Sequence, residues 1–428
     1  MMAMNREILR LAIPSILANI TVPLVGIVDV AIAGHISDAS AIGGIAIGSM
    51  LFDLLYWNFG FLRVGTGGLT AQAYGREDFA TAMAVFLKSA RIAIAASVAI
   101  LALQCLFIDV AMTCIPCSAE VEAFARKYFC IRIWAAPATL SLMAFKGWFI
   151  GMQNTLFAMI SDITVNIINM AASYFLAVHT PAGAIGVAYG TVIAQYMGLA
   201  VSVILMFIML RRYPGLRRSS GAMHLSVFKL NATLFIRSLC MLFVYAGFTS
   251  LTSRYGDGEL AAGSIIMKLF MIFSYFIDGF AYAGEALTGR FTGARDVSSL
   301  SRCIRATMAW ATMLGIIFTA IYLFCGNGCI ALITSDRNVM EESRQMLPWL
   351  VAMPLLGSYA FTWDGIYTGA TAARHIMMSM VYSSLGFVLV YILSEGWLQV
   401  HAIYLAYITH LLVRTVYLTA TKDYLKRF

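Results

Sequence analysis

Asp29 sits inside an otherwise apolar run, residues 9–34, where an ionisable side chain is costly and therefore a functional candidate. A rise of about 1.5 Å per residue puts it roughly 30 Å from the inner end of that run. Another run, 155–179, carries Asn166, Asn169 and Ser173 at i, i+3 and i+7, which is one face of a helix. Thr191 and Gln195 share a face of the following run, 184–210, at similar depth. One acid ringed by uncharged oxygen and amide groups suits a carboxylate that binds and releases H⁺ or Na⁺. The alternative is a capped Asp29 that only packs the first run against its neighbours, but an acid this deep is rarely kept for packing alone.

A second set lies later in the chain. Arg237, Asp278 and Glu285 (i and i+7 of one run) and Asp364 fall in the inner halves of their runs, with Lys268 nearer the outside. Three acids and one base in comparable layers are expected to form one connected polar cluster, since an isolated buried charge carries an uncompensated desolvation cost. Arg63, Lys146 and Asp162 make a thinner set in the first half. For both sets a structural ion-pair network and a substrate or coupling role remain open.

The elements that must position these groups are legible from composition. Hydrophobic residues are 61% and charged residues 12%, against about 25% charged in an ordinary soluble domain. Twelve apolar runs follow one another: 9–34, 41–66, 89–113, 128–152, 155–179, 184–210, 229–253, 259–288, 303–325, 344–371, 375–395 and 398–419. They are long enough to cross a bilayer as helices and lack the alternation of an outer-membrane barrel. The first run exceeds a signal peptide's apolar core, carries Pro14 and Pro23, and shows no small-residue cleavage site, so it is expected to remain as the first helix. The expected fold class is an all-α membrane protein of 12 transmembrane helices.

The chain also writes itself twice. Gly60-Phe61, Leu69-Thr70, Gly75 and Asp78 return as Gly279-Phe280, Leu287-Thr288, Gly293 and Asp296, an offset of 218 after one single-residue gap. Gly147-x-x-x-Gly151 returns as Gly365-x-x-x-Gly369, and Ala184-Ile185-x-x-Ala188-Tyr189-x-Thr191 as Ala402-Ile403-x-x-Ala406-Tyr407-x-Thr409. A shared offset implies tandem duplication, with each half one structural unit. The expected domains are 1–210 with helices 1–6, a basic cytoplasmic linker 211–228, and 229–428 with helices 7–12. Six helices per half make the repeats parallel, a layout of two lobes that suits a transporter. Asp364 is offset-matched to Lys146, so the two halves hold opposite charges at one scaffold position.

Lys and Arg fix orientation. With the first helix leaving from the cytoplasm, the inner segments hold Arg6, Arg10, Arg76, Lys88, Arg91, Arg211, Arg212, Arg217, Arg218, Lys229, Arg290, Arg295, Arg302, Arg305, Arg374, Lys422, Lys426 and Arg427. Outer segments hold only Arg126, Lys127, Arg254, Arg337 and Arg344. Both termini are thus expected in the cytoplasm, in the cell (inner) membrane. The net charge of +8 belongs to the inner surface, where anionic lipid headgroups are the expected partner and nucleic acid is not. Cys114-x-x-Cys117 and the Cys325/Cys329 pair supply no complete metal set, and no Walker A, HExxH or GxSxG pattern occurs. No cofactor, no metal and no enzymatic activity are expected.

Several motifs resemble one family. Leu11-Ala12-Ile13-Pro14 with Val28-Asp29-Val30-Ala31-Ile32-Ala33-Gly34-His35 is similar to helix 1 of multidrug and toxic compound extrusion (MATE) transporters. Tyr56-Trp57-Asn58-Phe59-Gly60-Phe61-Leu62-Arg63, Leu69-Thr70-Ala71-Gln72-Ala73-Tyr74-Gly75-Arg76 and Asp278-Gly279-Phe280-Ala281-Tyr282-Ala283-Gly284-Glu285-Ala286-Leu287 resemble its DNA-damage-inducible F (DinF) branch. The resemblance implies a V-shaped pair of six-helix lobes that exports organic, often cationic, compounds in exchange for H⁺ or Na⁺, and the chain is read as a monomer. It places the family's helix 1 acid on Asp29, its bending proline on Pro14 (with Pro23 a second bending point), its helix 5 asparagine on Asn169 and its helix 6 threonine on Thr191. Relatives carry an acid one turn after that asparagine, where this chain has Ser173. A single carboxylate weakens a Na⁺ site more than a protonation site, so H⁺ is the expected coupling ion. The rival is a lipid-linked precursor flippase of the same two-lobe architecture, whose phosphate headgroup would need basic groups such as Arg63, Lys146, Arg237 and Lys268.

Overall fold

The computed structural model describes residues 2–36, 39–115, 117–217 and 226–426. Residues 218–225 of the expected linker, with Arg218, lie outside the described residues, as does Arg427. Among the described residues there is no strand, and twelve helical passages run in chain order. The first is α1, Met2–Ile36. The second is α2, Ala39–Trp57, joined by a 3₁₀ turn at Asn58–Gly60 to α3, Phe61–Gly75. Next come α4, Phe79–Cys114, then α5, Ala119–Arg132, which continues through another 3₁₀ turn into α6, Ala136–Gly151. The first half closes with α7, Thr155–His179, and α8, Gly186–Arg212. The second half holds α9, Ser226–Thr252, α10, Asp257–Gly293, α11, Val297–Ile333, α12, Arg337–Gly369, α13, Ala373–Leu398, and α14, His401–Ala420.

Eleven of these passages are long and apolar enough to cross a membrane. The exception is α12, with Arg337, Glu341, Glu342 and Arg344 in its first turns. Its C-terminal half, Gly357–Gly369, is buried almost throughout against α10, α11 and α14, and a helix sheathed by others needs no apolar face. Several helices also outrun the apolar stretches read from sequence: α5 begins at Ala119 rather than 128, and α11 spans Val297–Ile333 rather than 303–325. Hydropathy marks the part that suits hydrocarbon, whereas backbone hydrogen bonding continues to the next cap. Exposed side chains such as Ile94, Val98, Leu103, Phe207, Leu389 and Leu393 are the lipid-suited faces of these helices.

The duplication is repeated in the backbone. Between α3 and α4, Glu77 adopts φ 58°, and Arg295 adopts φ 55° at the equivalent place between α10 and α11. Gln153 (φ 61°) and Thr371 (φ 54°) form a second matched pair after α6 and α12. All four close the preceding helix in the same way, the following N–H returning to the carbonyl five residues back: Asp78 to Ala73, Asn154 to Phe149, Asp296 to Phe291 and Ala372 to Tyr367, each at 2.9–3.0 Å. Asp78 then caps α4 by accepting from the Thr81 N–H (3.0 Å), as Asp296 caps α11 by accepting from the Ser299 N–H (2.9 Å).

Matched glycines set the helix spacing. A Cβ on Gly147 would fall on the Arg63 carbonyl, and one on Gly365 would fall on the Ala281 carbonyl. Gly151 meets Gly67 and Thr70, while Gly369 meets Glu285 and Gly289. The α3–α6 and α10–α12 contacts are therefore the same backbone-to-backbone approach made twice, as small residues at a helix interface allow.

The chain divides into two compact units, Leu17–His224 and Met1–Ile16 with Leu225–Phe428. The division differs from the sequence-based one at α1, whose first turns group with the second half. Gly279 leaves room for Ile16 and the Ala12 carbonyl, Arg290 pairs with Glu7 at 3.4 Å, and the Trp310 indole donates to Asn5 at 3.3 Å. The boundary falls two residues after Pro14, which cannot donate a backbone hydrogen bond. The Ser15 and Thr21 hydroxyls donate to the Leu11 and Ala18 carbonyls beside the two prolines, and α1 remains one helix through Pro14 and Pro23.

Candidate functional site

In the unit Leu17–His224 the site is built on the pairing of α7 with α8. Gly190 brings the two backbones together: a Cβ there would meet the Ser173 N and Oγ at 2.5 Å. The approach carries Thr191 to Asn169, whose Nδ2 donates to Thr191 Oγ1 at 2.9 Å. Thr191 Oγ1 donates in turn to the Val187 carbonyl at 3.0 Å, and Ser173 Oγ donates to the same carbonyl at 3.4 Å. Ser173 is thus satisfied by backbone, while Asn169 Oδ1 is buried and accepts nothing among the described residues. Asn166, one turn earlier, donates to Thr21 Oγ1 and ties α7 to α1.

Asp29 is buried near the C-terminal end of α1. Val28 and Ile32 beside it join one apolar cluster with Phe52, Tyr128, Phe129, Ala177, Val187 and Ala188, so α1, α2, α5, α7 and α8 converge there. Asp29 Oδ1 accepts no hydrogen bond among the described residues. Arg132, on α5, lies within electrostatic reach of Asp29. Its Nη1 donates to Tyr128 OH (3.0 Å) and Ser49 Oγ (3.2 Å), and its guanidinium carbon stands 4.7 Å from the centre of the Phe52 ring. Arg132 acts also on Asp53 and Tyr56 of α2. Neither Arg132 nor Asp53 is among the site residues expected from sequence. The apolar run 128–152 puts Arg132 close to its start, whereas α5 begins nine residues earlier, at Ala119. Asp53 was open to the rule that selected Asp29, an acid well inside an apolar run.

In the other unit, Asp364 Oδ2 accepts from Arg237 Nη2 at 2.8 Å and from Arg414 Nη2 at 2.5 Å. Arg414 is fully buried, and its guanidinium lies over the Phe361 ring. Arg237 and Asp364 therefore pair, and their third member is Arg414, a base inside the twelfth run that is not among the residues singled out from sequence. Asp278 is half-buried and acts on Tyr245, which also feels Arg414 and meets the Tyr407 hydroxyl at 3.3 Å. Glu285 is buried on α10, where its backbone carbonyl faces Gly369. In the first half Lys146, the counterpart of Asp364, pairs with Asp162 at 2.7 Å. The opposite charges at this duplicated position are each neutralised within their own unit. All eight cysteines are free.

A model of the MatE family matches residues 14–175 and 234–392, one segment in each repeat. The chain belongs to the MatE family. It is 33% identical over 424 residues to DNA damage-inducible protein F of Escherichia coli (strain K12), covering 97% of this chain and 91% of that protein. It is 22% identical over 389 residues to human Multidrug and toxin extrusion protein 1, covering 85% of this chain and 64% of that one. Among solved structures, a crystal structure of MATE in complex with MaL6 superposes with TM-score 0.89 at 16% identity, covering 99% of this chain and 98% of that chain. An outward-facing multidrug resistance MATE family transporter gives 0.88 at 16%, covering 99% and 97%. This MatE protein is a multi-pass membrane protein with the two-lobe transporter fold. Its family and structural neighbours are transporters rather than enzymes, and they lend no support to the flippase alternative.

Proposed function

We propose that this MatE protein is a secondary active antiporter that exports organic, often cationic, small molecules in exchange for H⁺. The observation that carries the reading is Asp29, a buried carboxylate with an uncommitted oxygen beside the Asn169–Thr191 pair's helices and under the influence of Arg132. Protonation removes its charge. Asp29 can then withdraw from polar partners while α1 bends at Pro14 or Pro23. Proton and cationic substrate compete through one carboxylate without sharing atoms.

H⁺ is favoured over Na⁺ because Ser173, already turned to the Val187 carbonyl, brings no carboxylate to the Asn169–Thr191 pair. A Na⁺ ion needs several oxygen ligands and gains from negative charge; a proton needs one basic oxygen. The Lys and Arg distribution supports cytoplasmic termini, and the likeness to a bacterial relative supports the cytoplasmic (inner) membrane. The protein works in this reading as a monomer among lipids, with no cofactor beyond the coupling ion.

Transport of a cationic dye in proteoliposomes with separately imposed H⁺ and Na⁺ gradients tests this. Export should follow the H⁺ gradient alone, and Asp29→Asn should fold yet lose gradient-driven export. If Asp29→Asn exports at the wild-type rate with unchanged pH dependence, Asp29 is not the coupling group.

A further inference from the structure

Asp53 is exposed although it lies inside an apolar helix, 14 residues after α2 begins at Ala39. At about 1.5 Å per residue that is roughly 21 Å from the start of the helix. A carboxylate at such depth avoids lipid and faces water or a ligand. Ser49, Phe52, Asp53 and Tyr56 recur at three- and four-residue spacing, so they share one face of α2. Arg132 lies on that face, donating to Ser49 and stacked over Phe52.

The guanidinium lies within electrostatic reach of two carboxylates and is hydrogen-bonded to neither. Its direct bonds go to the Ser49 and Tyr128 hydroxyls, and its Nε is buried with no partner among the described residues. Neutral hydroxyls hold a cation less firmly than a carboxylate does, so this arginine is free to favour either acid. The titratable groups around it are Asp29 on α1, Asp53 and Tyr56 on α2, and Tyr128 on α5, with Tyr196 of α8 acting on Tyr56.

We propose that Asp53 receives the cationic group of the substrate and that Arg132 is shared between Asp53 and Asp29, so that protonation of Asp29 releases the guanidinium towards Asp53 and displaces the cation. This rests on the reading of Asp29 as the coupling acid and adds the substrate-binding group and its positioning residue. Charge balances over the cycle. With Asp29 ionised, the arginine offsets it and Asp53 is offset by the bound monocation. With Asp29 protonated, the arginine offsets Asp53 and the monocation has left. One proton enters the set for each positive charge that leaves, and the set stays neutral in both states.

The test is binding of ethidium, a permanent cation, to the full chain in lipid nanodiscs at pH 6 and pH 8, read by fluorescence anisotropy. The wild type should bind about tenfold more tightly at pH 8, or about 1.4 kcal/mol. Asp53→Asn should bind weakly at both pH values, and Asp29→Asn should bind at both as the wild type does at pH 6. The deciding variant is Asp29→Asn with Arg132→Gln, which unmasks Asp53 and should bind tightly at both pH values. A double variant as weak as Asp29→Asn alone, or an Asp53→Asn protein that binds as the wild type, overturns the proposal. If pH and Asp29→Asn act as expected while Asp53→Asn is silent, the Asp29 reading survives and this one fails. If binding ignores pH and Asp29→Asn but is lost in Asp53→Asn, the coupling reading is the one that fails. Should thermal unfolding show that Arg132→Gln does not fold, Arg132→Lys, which keeps the charge and should behave as the wild type, decides together with Asp53→Asn.

Discussion

Removing Asp364 should damage this protein far more than removing either arginine bound to it. Arg414 is fully buried, Arg237 is mostly buried, and both donate to the same oxygen, Asp364 Oδ2. Asp364→Asn leaves two guanidinium groups with no counter-charge between them. Breaking a buried pair in this way costs about 3–5 kcal/mol. Arg414→Met leaves a neutral Asp364–Arg237 pair. The lost charged hydrogen bond is worth about 1.5–3 kcal/mol, and the guanidinium that no longer has to be desolvated offsets part of it. The net loss should stay below about 2 kcal/mol. Adding Arg414→Met to Asp364→Asn takes away one of the two stranded charges and should recover part of the loss, a non-additivity expected of residues in contact. Thermal unfolding in detergent, followed by tryptophan fluorescence, should rank the wild type first, Arg414→Met second, the double variant third and Asp364→Asn last. A double variant whose loss is the sum of the two single losses, or an Arg414→Met protein less stable than Asp364→Asn, would refute the account.

The matched glycines give a second test: Gly147→Ala and Gly365→Ala must each push a helix off a backbone carbonyl. Each should cost about 1–3 kcal/mol and lower Tm, whereas Gly26→Ala, with nothing within 4 Å of its added Cβ, should leave Tm unchanged or raised. Asp296 caps α11 outside the membrane, and hydrogen bonds from Ser299, then Ser298, hold its carboxyl down at about 2. Its stabilisation is therefore complete above the ordinary carboxylate value of 3.8 and disappears as pH falls through about 2. The Tm difference between the wild type and Asp296→Ala, set by a cap worth about 1 kcal/mol, should be constant from pH 7 to pH 5 and shrink towards zero near pH 2. Asp78→Ala removes the matched cap of α4 and should lower Tm by a similar amount at pH 7, measured in the same way.

Local pattern carried most of the fold. Apolar runs of bilayer length, the 218-residue offset and the caps at Asp78 and Asp296 depend on residues near one another in the chain, and a helix translates such spacing directly into faces and depths. The face bearing Asn169 and Ser173 and the depth shared with Thr191 were legible for that reason, and the structure brings Asn169 and Thr191 into a hydrogen bond. The choice of ion-pair partners was not legible. Depth alone allowed Arg237 to meet Asp278, Glu285 or Asp364; helix rotation and the packing of α14 against α12 and α9 gave it Asp364 and brought in Arg414. Arg132 reached the cluster around Phe52 and Tyr128 because α5 begins at Ala119, ahead of the apolar run that hydropathy registers. The first turns of α1 likewise read as part of the first repeat, yet Gly279, Arg290 and Trp310 receive Ile16, Glu7 and Asn5. Sequence sets which groups lie at which depth because that is a one-dimensional count along each helix. Which of them touch is set by how helices distant in the chain rotate and pack, and only the tertiary structure contains that.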